Sequence, residues 1–261
     1  MHALLRSLPL PLGAALALAP LAAGQVRITT LVEEGDAVPG LGLVTSIRDV
    51  ATNDAGDWLV EVDTDYPVTS RDGVLIHNGS VIMAEGVPNS GFDAPAGATM
   101  YDLREIALND AGQVMVALSA TRADGFTRVD LVAVDGATIV ETGTTPAPPE
   151  LPASASTWSY IDTAWFNAGG DLVVAGSVLD GADHLRVLAR FALDGQGGFT
   201  SQTAVAYEGE LLPGHDALVR IPANSRSRAA LNDAGQLLWM VSEEDTTLGG
   251  APNGCCDAHA S

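Results

Sequence analysis

Four times along the chain a polar turn precedes a run of mostly apolar residues. The segments are Ala51-Thr-Asn-Asp-Ala-Gly-Asp-Trp-Leu-Val-Glu-Val62, Ala107-Leu-Asn-Asp-Ala-Gly-Gln-Val-Met-Val-Ala-Leu118, Trp165-Phe-Asn-Ala-Gly-Gly-Asp-Leu-Val-Val-Ala-Gly176 and Ala230-Leu-Asn-Asp-Ala-Gly-Gln-Leu-Leu-Trp-Met-Val241. Their turn glycines, Gly56, Gly112, Gly170 and Gly235, lie 56, 58 and 65 residues apart. Two other marks keep the same phase. Glu34-Gly35, Glu85-Gly86 and Glu208-Gly209 recur between copies, with Thr142-Gly143 in the remaining place. Asn78-Gly79, Asp135-Gly136 and Asp194-Gly195 follow the first three turn glycines by 23, 24 and 25 residues. Three marks in step define a tandem repeat.

Each unit reads as four short strands. In the second they fall at Met100–Leu108, Gln113–Leu118, Arg128–Val134 and Ala137–Glu141. The second strand is apolar almost throughout, as expected where both faces are covered. The third alternates, with Val129, Leu131 and Ala133 on one side. Asn-Asp-Ala-Gly joins the first two strands through a glycine that adopts positive φ without steric cost. Asn-Gly and Asp-Gly between the third and fourth strands predict type I′ turns.

Four antiparallel strands repeated at this spacing predict an all-β, propeller-like array of four-stranded blades. Residues 25–245 carry it. Val26–Glu33 aligns with a fourth strand, while residues 246–261 read as an irregular tail without a clear third strand. On this reading the array is incomplete or C-terminally truncated. In such blades the tight glycine turns share one end, and the longer connections near Asp63–Asp72, Ser119–Thr127 and Ser177–His184 share the other. Function favours the longer loops.

Residues 1–24 stand outside the pattern. Arg6 precedes an Ala/Leu-rich stretch, Leu8–Ala23, interrupted by Pro9, Pro11 and Pro20, with Ala22 and Gly24 ahead of a cut before Gln25. That stretch falls short of the roughly 20 residues that span a bilayer. It predicts a cleaved signal peptide and a secreted, periplasmic or cell-surface location, with no membrane span after cleavage.

The 261 residues carry a formal charge of −21 and no lysine. Without residues 1–24, 11 arginines face 33 acidic residues. A nucleic-acid partner is excluded on this balance, because phosphate binding needs clustered positive charge. Cys255 and Cys256 are adjacent near the end, so no disulfide framework is expected.

The Asn-Asp-Ala-Gly-Gln element, with a Glu34-Gly-Asp-Ala-Val-Pro-Gly40 loop upstream and a weaker copy at Glu208–Gly214, resembles a functionally uncharacterised group of secreted bacterial tandem-repeat proteins over about residues 26–245. That resemblance implies a propeller-like fold and carries over no catalytic residues.

Candidate chemistry is sparse. Glu61, Asp63 and Asp65 alternate and form the one candidate hard-cation site, for Ca²⁺, against the alternative of a solvated strand end. Glu34, Glu85 and Glu208 either ring a central channel or cap their turns. His77, His184 and His215 lack metal-ligand spacing. Trp58, Trp165 and Trp239 read as packing residues, and Trp158 as a candidate exposed platform for a sugar ring. No catalytic constellation, cofactor motif or metal motif is recognised. The expectation is an exported, non-catalytic binding or structural module for a protein or glycan. The alternative is an extracellular glycan hydrolase or lyase using carboxylates on the loop face.

Overall fold

The computed structural model describes residues 29–68, 71–88, 97–211, 218–221, 229–244 and 256–260. The proposed signal peptide, His215 and Cys255 lie outside them, as does the start of the Val26–Glu33 strand, whose described part is not extended into any sheet. Val32–Ser261 forms one compact unit. Among the described residues there are strands and turns and no helix.

The strands make four antiparallel sheets in chain order. The first holds β1 (Ala37–Val38), β2 (Gly42–Thr52), β3 (Trp58–Thr64), β4 (Gly73–His77) and β5 (Ser80–Ala84). The second holds β6 (Thr99–Leu108), β7 (Val114–Thr121), β8 (Arg128–Val134) and β9 (Ala137–Glu141). The third holds β10 (Ala155–Phe166), β11 (Leu172–Asp180), β12 (Asp183–Leu193) and β13 (Phe199–Tyr207). In the fourth, β14 (Leu218–Arg220) and β15 (Ala229–Leu231) pair with successive parts of β16 (Leu237–Glu244), as two pieces of one interrupted strand. β17 (Cys256–Ala260) pairs along the other edge of β16, from Ser242↔Cys256 to Leu238↔Ala260. These residues were expected in an irregular tail. Cys256-Asp-Ala-His-Ala260 is short and has no β-branched or aromatic residue, so its strand character shows only when the open edge of β16 offers it partners.

The sheets pack face to face through three apolar layers. Leu59, Leu75 and Met83 of the first meet Met100, Ile106, Leu118 and Leu131 of the second. Met115, Val132, Val134 and Ile139 meet Trp158, Ile161, Leu172, Val187 and Phe191 of the third. Val173, Ala175 and Leu188 meet Val219, Leu237 and Trp239 of the fourth. Full burial of each such side chain is worth about 1.5–3 kcal/mol, so these layers hold the stack together. Val129, Leu131 and Ala133 do share one side of β8, but Val132 and Val134 are buried on the other side. The alternation there is between two cores, not between core and solvent.

The four Asn-containing turns are alike atom for atom. In each, the Asn Oδ1 accepts the backbone N–H of the residue four positions on, at 2.8 Å for Asn53, Asn109, Asn167 and Asn232. The turn glycines all have positive φ, between 75° and 89°. The turns also hold one another. Asn53 Nδ2 donates to the Asn109 carbonyl at 2.9 Å, Asn167 Nδ2 to the Asn232 carbonyl at 2.7 Å, and the Asp110 N–H to the Ala168 carbonyl at 3.1 Å. Asn78-Gly79 and Asp135-Gly136 have positive φ at both residues, as a type I′ turn requires. Their side chains cap the second strands, Asn78 Oδ1 accepting the Trp58 N–H and Asp135 Oδ1 the Val114 N–H, both at 2.9 Å. Asp194 does not adopt positive φ, and its connection is longer than the predicted dipeptide turn.

At the other end Gly35, Gly86, Gly143 and Gly209, again with positive φ, donate backbone N–H groups to the carbonyls of Val44, Met100, Trp158 and Val219 near the start of the next first strand. At Gly86, Gly143 and Gly209 this bond is a joint between successive sheets, whereas at Gly35 it precedes the first.

Candidate functional site

The loop end is built on a bulge in the first strand of each of the first three sheets. The register slips between Ile47 and Asp49, Leu103 and Glu105, and Ile161 and Thr163. A bulge re-aims the extra residue, and here that residue is Arg48, Arg104 or Asp162. Arg48 Nε meets Asp63 Oδ2 at 2.5 Å, and Ser46 Oγ donates to the same oxygen at 2.9 Å. Arg104 donates to Asp130 Oδ1 at 2.8 Å, to Ser119 Oγ at 2.6 Å and, across the sheet boundary, to the Ile161 carbonyl at 2.6 Å. In the third sheet the charges are exchanged, and Arg186 Nη1 donates to Asp162 Oδ2 at 2.9 Å.

Next to this network lie two carboxyls that resist ionisation. Burial pushes Glu61 up to about 7, and the negative charges of Asp49, Asp63 and Asp102 add to the shift against the pull of Arg48. Burial likewise pushes Glu85 up to about 7, although Glu85 Oε2 accepts the Gly73 N–H at 3.2 Å. Such shifted groups are candidate acids or bases.

The sequence candidates are only partly joined. Glu61 and Asp63 influence one another, but Asp65 Oδ1 instead accepts the Leu43 N–H at 2.7 Å, and Asp65 belongs to the margin of β2. No group of three or more His, Cys, Asp or Glu among the described residues is placed to hold a metal ion. Glu85 caps a backbone N–H within its own sheet, whereas Glu34 is exposed. His77 lies beside the Asn78 amide, and His184 Nδ1 is 2.9 Å from Ser159 Oγ, in separate sheets. Trp158, expected as an exposed platform, is 0% exposed. It packs 6.1 Å from Phe191 and donates through Nε1 to Gln202 Oε1 at 3.4 Å, because β10 starts early enough to include it, in the apolar layer between the second and third sheets.

The most exposed aromatic among the described residues is Phe126, 90% accessible in the β7–β8 connection. Asp124 fixes that loop. Its Oδ1 accepts the N–H groups of Phe126 and Thr127 at 2.8 Å each, and its Oδ2 the Thr127 hydroxyl at 2.5 Å. These bonds, the hydroxyl first, hold the exposed Asp124 carboxyl down at about 2. The Thr127 carbonyl accepts the Arg122 N–H at 2.8 Å, and Arg122 in turn pairs with Glu141 at 2.7 Å. Close by in sequence, the Arg128 guanidinium stacks 3.8 Å above the partly exposed Tyr101 ring. Sequence reading marked the loop but missed its anchor. The available signal was Asp-Gly-Phe-Thr, an Asx-type turn with the aromatic at its tip.

Fold and loop end together define an all-β protein of stacked antiparallel sheets whose loop-end charges are largely paired with each other. The chain belongs to the family of unknown function DUF7453, whose model matches residues 18–250. No curated protein matches it. Among solved structures it is similar to the polysaccharide lyase Uly1 at 12% identity and a TM-score of 0.29, a likeness covering 81% of this chain and 56% of that one. The chain thus spans little more than half of that protein, and a likeness this weak carries no argument. No helix among the described residues is long and apolar enough to cross a membrane.

Proposed function

We propose that this chain is an exported, non-catalytic binding module, a propeller-like array of β-repeats that meets a protein or glycan through its loop end. The observation that carries this reading is Phe126, fully presented on a loop that Asp124 has already immobilised. An apolar ring carried on a backbone that is already fixed spares the cost of ordering the loop on binding, so more of its burial converts to affinity. The propeller arrangement is supported by the contacts of the first strands, β2 with β6, β6 with β10 and β10 with β15, which set one edge of every sheet toward its neighbour.

The glycan hydrolase or lyase reading is kept by two half-buried carboxyls, Glu61 and Glu85, which burial pushes up to about 7. Screening the purified chain on glycan and protein arrays, and for release of products from polysaccharides, separates the two. The binding reading expects capture without turnover, weakened tenfold or more by Phe126→Ala. Turnover abolished by Glu61→Gln or Glu85→Gln would replace it with the enzymatic one.

A further inference from the structure

In the first two sheets a two-residue turn joins the third and fourth strands, but in the third sheet the link is the longer loop Asp194–Gly198. In a repeat scaffold, an insertion confined to one copy is where a binding function is commonly added. This loop is preorganised. Asp194 Oδ1 accepts the N–H groups of Gln196 at 2.7 Å and Gly198 at 2.9 Å, and the Asp194 N–H donates to the Gly198 carbonyl at 3.0 Å. It leans on the second sheet, for a Cβ at Gly197 would stand 2.8 Å from the Cβ of Ala137. Between the loop and the Asp135-Gly136 turn lies an open groove of about 320 Å³. Val134, Ile139 and Leu193 form its apolar lining, and Gln113, Asp135 and Gln196 its polar rim.

We propose that this groove binds a short, uncharged, hydroxyl-rich ligand, a mono- or disaccharide unit of a neutral glycan. Its volume falls at the small end of the roughly 300–1,000 Å³ typical of ligand pockets. No cationic side chain lines it, which disfavours phosphate, sulfate or uronate. Its one carboxylate, Asp135, already accepts the Val114 N–H at 2.9 Å and Gln113 Nε2 at 3.1 Å, so it is not a free anchor for a cation. Gln196 is exposed and keeps its side-chain carbonyl and one amide hydrogen to offer. An amide that both donates and accepts suits a hydroxyl, which does the same, and the apolar lining suits the C–H face of a sugar ring. The groove lies at the turn end, opposite Phe126, and stands independently of the loop-end reading.

The test is titration of the purified full chain with di- to tetrasaccharides of glucose, galactose, mannose and xylose, and with oligomers of galacturonate and glucosamine, followed by NMR and calorimetry. At least one neutral series is expected to bind. Gln196→Trp, which fills the groove from an exposed position, is expected to weaken that binding at least tenfold, and Gln196→Ala at least threefold. The proposal is overturned by absence of neutral binding at millimolar concentration, by tighter binding of the charged oligomers, or by full affinity in Gln196→Ala. Neutral binding lost in Phe126→Ala but kept in both Gln196 variants would overturn it while leaving the loop-end reading intact.

Discussion

Asn53 donates its Nδ2 to the backbone carbonyl of Asn109, 56 residues away and in the next sheet, at 2.9 Å. The same side chain closes its own turn by accepting the Asp57 N–H at 2.8 Å. One residue type therefore serves the hairpin and the joint between sheets. Asn53→Asp keeps the acceptor and removes the donor, whereas Asn53→Ala removes both. Both variants are expected to be less stable than wild type, the alanine variant by about 1–3 kcal/mol, and the aspartate variant also sets a second carboxylate against Asp57. Urea unfolding measures this, and wild-type stability in Asn53→Asp would show that the bond between sheets contributes nothing.

Glu61 and Glu85 give the chain an unusual pH dependence. Both titrate at about 7 in the fold against a usual 4.5. Between those values the folded chain holds more protons than the unfolded one, so their stabilising contribution is complete below the lower value and is lost as pH rises through the upper one. Asp57, Asp124, Asp171 and Asp194 act in the opposite sense. Their pKa values are lowered in the fold, so their contribution is present above 3.8 and is lost on further acidification. Melting temperature is expected to peak at roughly pH 4–5.5 and decline toward pH 8. Glu61→Gln with Glu85→Gln should flatten the upper limb of that profile, and an unchanged slope would count against the assignment.

Arg104 ties Asp130 and Ser119 to the Ile161 carbonyl of the third sheet. Both partners of the ion pair are largely buried, with side chains 17% and 13% exposed. Removing one of them leaves the other charge uncompensated, at a cost of about 3–5 kcal/mol. Because Asp162 and Arg186 hold equivalent places with the charges reversed, the double change Arg104→Asp with Asp130→Arg should recover part of the loss of Asp130→Ala. The bond to Ile161 would stay missing. Guanidinium unfolding of the single and double variants reads this directly.

Asp124→Ala is expected to free the loop carrying Phe126, raising protease cleavage within residues 122–127 while changing melting temperature little. Phe126→Ala, at an exposed position, should alter stability by no more than about 0.5 kcal/mol. Any partner captured at the loop end should bind both variants more weakly. Unaltered capture by Phe126→Ala would remove that residue from the interface.

The local signals in the chain were enough to place β6 through β9 to within a few residues, and to assign the I′ turns at Asn78-Gly79 and Asp135-Gly136. Strand alternation and the need for positive φ are properties of a few neighbouring residues, so they can be read without knowing what packs against them. Membership of an uncharacterised family agrees with the resemblance seen in the repeat element. What distant residues supply could not be read this way. Trp158 lies in the core because Phe191 and Gln202 lie over it. Glu61 resists ionisation first because the fold half-buries it and then because Asp49, Asp63 and Asp102 converge on it. Asp194-Gly195 looked like its two counterparts, yet its loop spreads over Ala137 and opens a groove. In each case the outcome depends on side chains brought together from different strands or sheets, and the tertiary structure alone decides which of them meet.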